Sequence, residues 1–263
     1  MLKRKADPRL ALRLSGGGHG AQGGTALAPR KAHLALKPKQ VNPTPMTPAL
    51  KAVFLLGTLK KKQVLSHTDA LCEVVAETLL KQENVKSEII RLRDYDIQPG
   101  TRTEIDNDDW PGIVKKMVAS DIIVFATPIW WGIQSSLIQR AIERLDELND
   151  ELLETGKSDF ANKVGGIVIT GAEDGAEHII GNILNFMSWN GFSIPPAPSV
   201  SWLGDATGET KDSLKRKFKR GPVYSMVKTF ARNEAYLARL LKSNPYPDSE
   251  KVKHREGAIG YRA

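Results

Sequence analysis

The 263-residue chain is 41% hydrophobic, enough for one large core with extensions. Its one cysteine, Cys72, excludes an intrachain disulfide framework and a cysteine-ligated metal cluster, and fits a reducing, cytoplasmic setting. The formal charge of +8 belongs to residues 1–49, which hold nine Lys or Arg against the single acid Asp7; residues 50–263 carry 29 bases and 29 acids, so nucleic acid is not an expected partner.

Residues 1–49 show no sustained periodicity. Ser15–Gly24 is rich in glycine and Pro38–Pro48 holds four prolines, so this segment is expected to be a disordered basic tail. It is acid-poor like a transit peptide but also poor in serine. A passive extension, a transit peptide and an arm for an anionic partner all stay open, and Met46 stands where a true start would fit. No apolar run approaches the roughly 20 residues of a membrane span, and no secretory signal is visible, so no membrane partner is expected.

From Lys51 short apolar runs alternate with helical patterns, which argues for βαβ units and an α/β parallel sheet in a domain over residues 50–247, followed by a loose tail, 248–263. Ala52–Leu56 reads as the first strand. Thr68–Lys81 reads as a helix with Leu71, Val74, Val75, Thr78 and Leu79 on one face. Ser87–Leu92 is the second strand. Asp109 is placed to cap a helix with Trp110 and Pro111 in its first turn, burying Ile113, Val114 and Met117. Ile122–Ala126 is the third strand, ending at Thr127-Pro128 in a loop. Ser135–Asn149 is helical, Val164–Ile169 the fourth strand, and Ala176–Asn190 a helix closed by Gly191. A fifth strand lies within Pro198–Leu203, and a long amphipathic helix runs over Val223–Lys242. Crossover helices are expected on both faces of the sheet.

Ligands in such sheets bind at the carboxyl edge, so three strand ends matter. The first, Gly57–Thr68, offers the hydroxyls of Thr58, Ser66 and Thr68 and a helix N-terminus, which together can hold a phosphate; as a helix cap, Ser66 has a plain structural reading as well. The spacing matches neither a Walker A loop nor GxGxxG. The second is Thr127–Ser135, TPIWWGIQS. Its paired tryptophans, Trp130 and Trp131, and the backbone of Ile129–Gly132 suit the flat face and polar edge of an isoalloxazine ring, with one tryptophan free to pack in the core. The third, Thr170–Gly175, has two glycines that let backbone lie against a ring edge; Glu173 and Asp174 read as turn residues, with His178 just beyond.

These motifs resemble those of the flavodoxin-like NAD(P)H-dependent FMN reductase family, in its branch near the iron–sulfur flavoproteins. The matching residues are Gly57, Thr58, Ser66, His67 and Thr68 after strand one; Thr127, Pro128, Ile129, Trp130 and Gly132 after strand three; Glu143-Arg144 at the following helix end; Thr170, Gly171 and Gly175 after strand four; and Gly191-Phe192. The likeness spans about Lys51 to Pro247. The chain departs from it in lacking the cysteine cluster over Leu92–Trp110, so no metal is expected, and in carrying Lys60–Lys62 where an arginine follows Gly-Thr.

The resemblance implies a five-stranded parallel sheet of order 2-1-3-4-5 and non-covalent FMN. Thr58, Ser66, His67 and Thr68 would meet the phosphate. Thr127, Pro128, Ile129, Trp130, Trp131, Gly132 and Ser135, with Thr170, Gly171, Glu173 and Gly175, would line the ring. NADH or NADPH would pass hydride to the flavin N5, and the flavin would reduce a small-molecule acceptor such as a flavin or quinone, with no protein side chain as acid or base. The resemblance also implies a homodimer or homotetramer. The rival readings are an electron-transfer flavodoxin, against which the neutral core and the region Asp205–Leu241 weigh, and a flavin-free scaffold acting through its tail.

Overall fold

In the computed structural model, residues 49–172, 174–205 and 207–248 are described. The readings made of the N-terminal tail and of the segment after Asp248 lie outside them, as does Glu173. β1 (Leu50–Leu56) leads to α1 (His67–Glu83), which Ser66 caps by accepting from the Asp69 N–H at 3.3 Å and which ends at Asn84 in a left-handed conformation. β2 is Val85–Arg91 and α2 is Trp110–Val118, entered through Pro111. β3 (Ile122–Trp130) turns back through Trp131 and Gly132 into the two-residue β4 (Ile133–Gln134). α3 (Ser136–Glu143) and α4 (Asp146–Thr155) follow, then β5 (Val164–Gly171), α5 (Ala176–Trp189), β6 (Ser199–Leu203), α6 (Lys211–Phe218) and α7 (Gly221–Ser243).

The sheet order is β2-β1-β3-β5-β6, parallel throughout, with β4 paired antiparallel to the end of β3. Setting β4 aside, this is the expected 2-1-3-4-5 arrangement. Alternation along the strands sorts their side chains onto two faces. Phe54, Leu56, Val124, Ala126, Val168 and Trp202 lie in the core shared with α1, α6 and α7. Val53, Leu55, Ile123, Phe125, Ile167 and Ile169 lie in the core shared with α2, α3 and α5. Each buried Val, Leu, Ile or Phe among them contributes about 1.5–3 kcal/mol by leaving water, which explains why strands buried on both faces read as unbroken apolar runs.

Two elements differ from their sequence patterns. β3 does not stop at Thr127-Pro128 but runs on to Trp130. β1 pairs with it only as far as Ala126, while β5 continues alongside through Pro128, so the proline's missing N–H falls where one neighbour has already ended. The helix expected over Ser135–Asn149 is two helices. The Trp110 indole N–H donates to the Arg144 carbonyl at 3.2 Å, and Arg144 turns its fully buried guanidinium into the loop before α2. There it meets the Asp108 carboxylate and donates to the carbonyls of Gln98, Arg102 and Thr103 at 2.7–2.9 Å.

α6 lies along α1 in a repeating register. Lys211, Lys215 and Lys219 meet Asp69, Glu73 and Glu77, so acid and lysine each advance by one helical step of four. Hydrogen bonds from Lys215 and Lys219 pull the Glu77 carboxyl down to about 2.

Candidate functional site

The three strand ends singled out in the sequence meet at the carboxyl edge of the sheet. Gly57 extends the β1–β3 pairing, its N–H donating to the Ala126 carbonyl at 2.7 Å. A Cβ there would sit 2.4 Å from Ile138 Cγ1 and 2.6 Å from Ser135 Oγ, so only glycine lets the first loop cross the start of α3. Thr58 is buried behind it. The loop is tied down by charge: Lys60 Nζ donates to the Leu65 carbonyl at 2.9 Å, and Arg91 donates to the Lys60 carbonyl at 3.1 Å while pairing with Asp69 at 2.7 Å.

Thr68 and Thr170 share a hydroxyl–hydroxyl hydrogen bond of 2.7 Å, joining the start of α1 to the end of β5. Both are buried. His67 does not point along with them. Its ring packs edge-on against Trp202 of β6, 5.7 Å between centroids. Burial foremost, then Lys60 and Lys217, lowers its pKa from the ordinary value, with Asp205 opposing.

The second strand end is a hairpin. Trp131 and Gly132 have φ of 51° and 77°, the paired positive values of a tight two-residue turn. Thr127 anchors its base, accepting from the Ser135 N–H at 2.9 Å and donating to the Pro128 carbonyl at 2.8 Å. Ser135 is buried and caps α3, so both hydroxyls are engaged within the protein. Ile129 is buried against Gly171, where a Cβ would lie 2.8–2.9 Å from the isoleucine side chain. Trp130 is 48% exposed and Trp131 91% exposed. Strand alternation puts Trp130 on the α1 face with Ala126, whereas Trp131 stands out at the tip.

The third strand end closes on the second. Gly175 has φ of 124°, and a Cβ on it would lie 2.5 Å from Gly132 Cα, so hairpin and turn touch backbone to backbone. Gly175 also opens α5 without a side-chain cap, leaving the helix's first N–H groups without a competing side-chain acceptor at its N-cap. Asp174 and His178 are exposed.

The edge therefore combines a half-exposed indole, close-packed glycine backbone, and a loop with hydroxyls, lysines and a helix N-terminus. These suit a flat aromatic ligand carrying an anionic arm. Sequence reading missed the braces Arg91 and Asp69, the packing of His67 on Trp202, and Glu234 of α7. Glu234 did carry a signal: it falls on the apolar stripe of Val227, Phe230, Ala231, Ala238 and Leu241. Among the described residues no group of three or more His, Cys, Asp or Glu side chains is placed to hold a metal ion, and no helix is long and apolar enough to cross a membrane.

A protein-family model described as NADPH-dependent FMN reductase matches residues 50–206. The chain is similar to the 8-demethyl-8-aminoriboflavin-5'-phosphate synthase of Streptomyces davaonensis, 32% identical over 75% of this chain and 80% of that protein. It is 34% identical over 62% of its length to the divalent metal cation transporter MntH of Mycobacterium bovis, but spans only 24% of that protein. Among solved structures it resembles RosB with bound 8-demethyl-8-formylriboflavin-5'-phosphate, at 27% identity and a TM-score of 0.64, covering 82% of this chain and 95% of RosB.

Proposed function

The chain belongs to the NADPH-dependent FMN reductase family, and on that footing we propose that it is an FMN-dependent oxidoreductase that takes hydride from NAD(P)H and delivers it to a small-molecule acceptor. The observation that carries this reading is the convergence of three strand-end loops, joined by the Thr68–Thr170 bond and the Gly132–Gly175 contact. Bound here, FMN would supply the redox chemistry. The protein's part is to hold and orient.

In this reading Thr58, Ser66 and Thr68 would hold the phosphate. Trp130, on the α1 face, would form the wall against the ring, and the backbone of Gly132, Gly171 and Gly175 would lie along its edge. Thr127 and Ser135 act indirectly by fixing the hairpin. His67, packed edge-on against Trp202, is not counted among the phosphate ligands. Among the described residues no side chain at this edge is placed as an acid or base, which suits a hydride transfer carried by the cofactor.

The test is the absorption spectrum of the purified full-length protein, followed by anaerobic titration with NADPH and NADH. Yellow protein bleached by a nicotinamide supports the reading; a colourless protein indifferent to added FMN overturns it. A stable semiquinone without turnover would point to an electron carrier. Trp130→Ala should weaken FMN binding about tenfold through lost stacking, and Trp131→Ala far less.

The named product of the Streptomyces davaonensis relative favours a second reading, in which the flavin phosphate is itself the substrate. Mass spectrometry of flavin recovered after turnover separates the two: unchanged FMN supports the reductase, an altered ring the second reading.

A further inference from the structure

We propose that the outward face of α5 is a contact between two copies of this chain, crossing antiparallel about a two-fold axis at Gly181, and that the contact carries the partner's Trp189 to the rim of the site. The contact itself stands apart from the flavin reading; the role given to the partner's Trp189 rests on it.

Gly181 lies in the middle of α5 and is exposed. A Cβ on it would meet no atom of the described residues within 4 Å. Glycine inside a helix costs about 0.5–1 kcal/mol against alanine, and here no packing within the chain calls for it. A second helix does call for it, because a missing side chain lets two helix axes approach closely. Further along the same face, Trp189 is 68% exposed, while Asn149 holds its carbonyl at 2.9 Å. The backbone there is fixed and the indole faces water. Half-buried Ile180 and Leu184 flank the stripe, and β4, which packs against α5, adds the half-exposed Ile133.

Charge selects the occupant. α5 has no Lys, Arg or Asp, and its one acid is Glu177 in the first turn. Beyond Glu177 its exposed positions are His178, Gly181, Asn182, Asn185, Ser188 and Trp189. The eight residues of α6 include five charged ones, so a charge-poor helix surface is not the rule in this chain. An anionic lipid or a nucleic acid would need bases on this face. A second copy needs the reverse, because an isologous contact sets each residue near its own kind around the axis, where a single-sign charge repels itself.

The axis at Gly181 fixes the register: a residue a given number of positions after Gly181 lies beside the one as many positions before it in the other copy. Glu177 then faces the partner's Asn185, whose amide can donate to the carboxylate, so the one charge on the helix meets a complementary group. Trp189 is eight positions past Gly181, about 12 Å along the axis, and Gly175 is six positions before it, about 9 Å. The partner's Trp189 therefore reaches just beyond the start of α5, beside the turn of Asp174 and Gly175 that closes on Gly132 of the hairpin.

The test uses full-length wild type, Gly181→Ala and Gly181→Arg in sedimentation equilibrium, with FMN titrated into the flavin-free form of each. Wild type should be dimeric. Gly181→Arg sets two guanidinium groups against each other across the axis and should raise the dimer dissociation constant about a hundredfold or more, with Gly181→Ala in between. Diluted to where wild type is itself monomeric, both variants should unfold at the same temperature or higher, since each exchanges glycine for a better helix former, and this separates failure to pair from failure to fold. The Gly181→Arg monomer should bind FMN about tenfold more weakly than the wild-type dimer, the scale of one lost aromatic contact. A wild type that stays monomeric up to its solubility limit, or a dimer that survives Gly181→Arg, would overturn the contact. A monomeric variant with unchanged FMN affinity would overturn the placement of the partner's Trp189. A wild type that dimerises yet binds no flavin would bring down the flavin reading and leave the contact standing.

Discussion

Replacing Glu234 by methionine should stabilise this protein. Glu234 sits on α7 in the core between helix and sheet, fully buried, and neither carboxyl oxygen has a hydrogen-bond partner. Its room comes from Gly166 on β5, where a Cβ would stand 3.0 Å from Glu234 Oε1. Burial alone pushes the carboxyl well above its ordinary value of 4.5, with no neighbouring charge contributing. A neutral polar group buried without a partner costs about 1–3 kcal/mol, and Glu234→Met should recover that much at acid pH and more at neutral pH.

The same residue sets a pH dependence. At acid pH the carboxyl is protonated in both folded and unfolded chains and adds no slope. Above the unfolded value the unfolded chain releases the proton while the folded chain keeps it, so folding stability falls as pH rises. The slope is about 1.4 kcal/mol per pH unit while that difference lasts. Urea unfolding of wild type, Glu234→Gln and Glu234→Met at about pH 5 and about pH 7 measures it. Both variants should lose this component of the slope, and methionine should in addition raise stability. Parallel pH dependences for wild type and Glu234→Gln would refute the reasoning, because they would mean that the carboxylate is ionised or partnered in the fold.

Other outcomes follow from the same contacts. Arg144→Met strands the buried Asp108 carboxylate and three carbonyls, and should cost about 3–5 kcal/mol in denaturant unfolding, with Asp108→Asn milder. Gly175→Ala forces a Cβ against the Gly132 backbone at a φ that disfavours alanine, and should destabilise by about 1–3 kcal/mol and weaken FMN binding in a fluorescence titration. The α1–α6 ladder should weaken in acid: Glu77 is held near 2, so its contribution is present above its ordinary 4.5 and is lost as pH falls through that interval. These charges are partly exposed, so the effect should be about 1 kcal/mol or less and should shrink in high salt, as measured by acid unfolding of wild type against Lys215→Ala.

Strand order and helix faces were legible in the sequence because buried strands and amphipathic helices carry their own periodicities. Turn chemistry marked Gly57, Gly132 and Gly175, each of which is intolerant of a side chain or set at positive φ. The end of β3 was misread because Thr-Pro is an ordinary strand stop, and nothing local shows that β1 has already ended there while β5 continues. The split of Ser135–Asn149 was hidden for a similar reason: apolar spacing continues across Arg144, and only Trp110 and the loop before α2, distant in sequence, draw its backbone and side chain away.

By itself the sequence determined the βαβ alternation, the neutral core set apart from the basic tail, and the three loops that carry hydroxyls, tryptophans and glycines. Those follow from composition and short-range pattern. The tertiary structure decided that the loops meet, that Trp130 lies on the α1 face while Trp131 stands at the tip, that Thr127 and Ser135 bond each other, and that His67 and Lys217 share Trp202. Each of these joins residues far apart in the chain or depends on strand register, and neither is encoded in any local period.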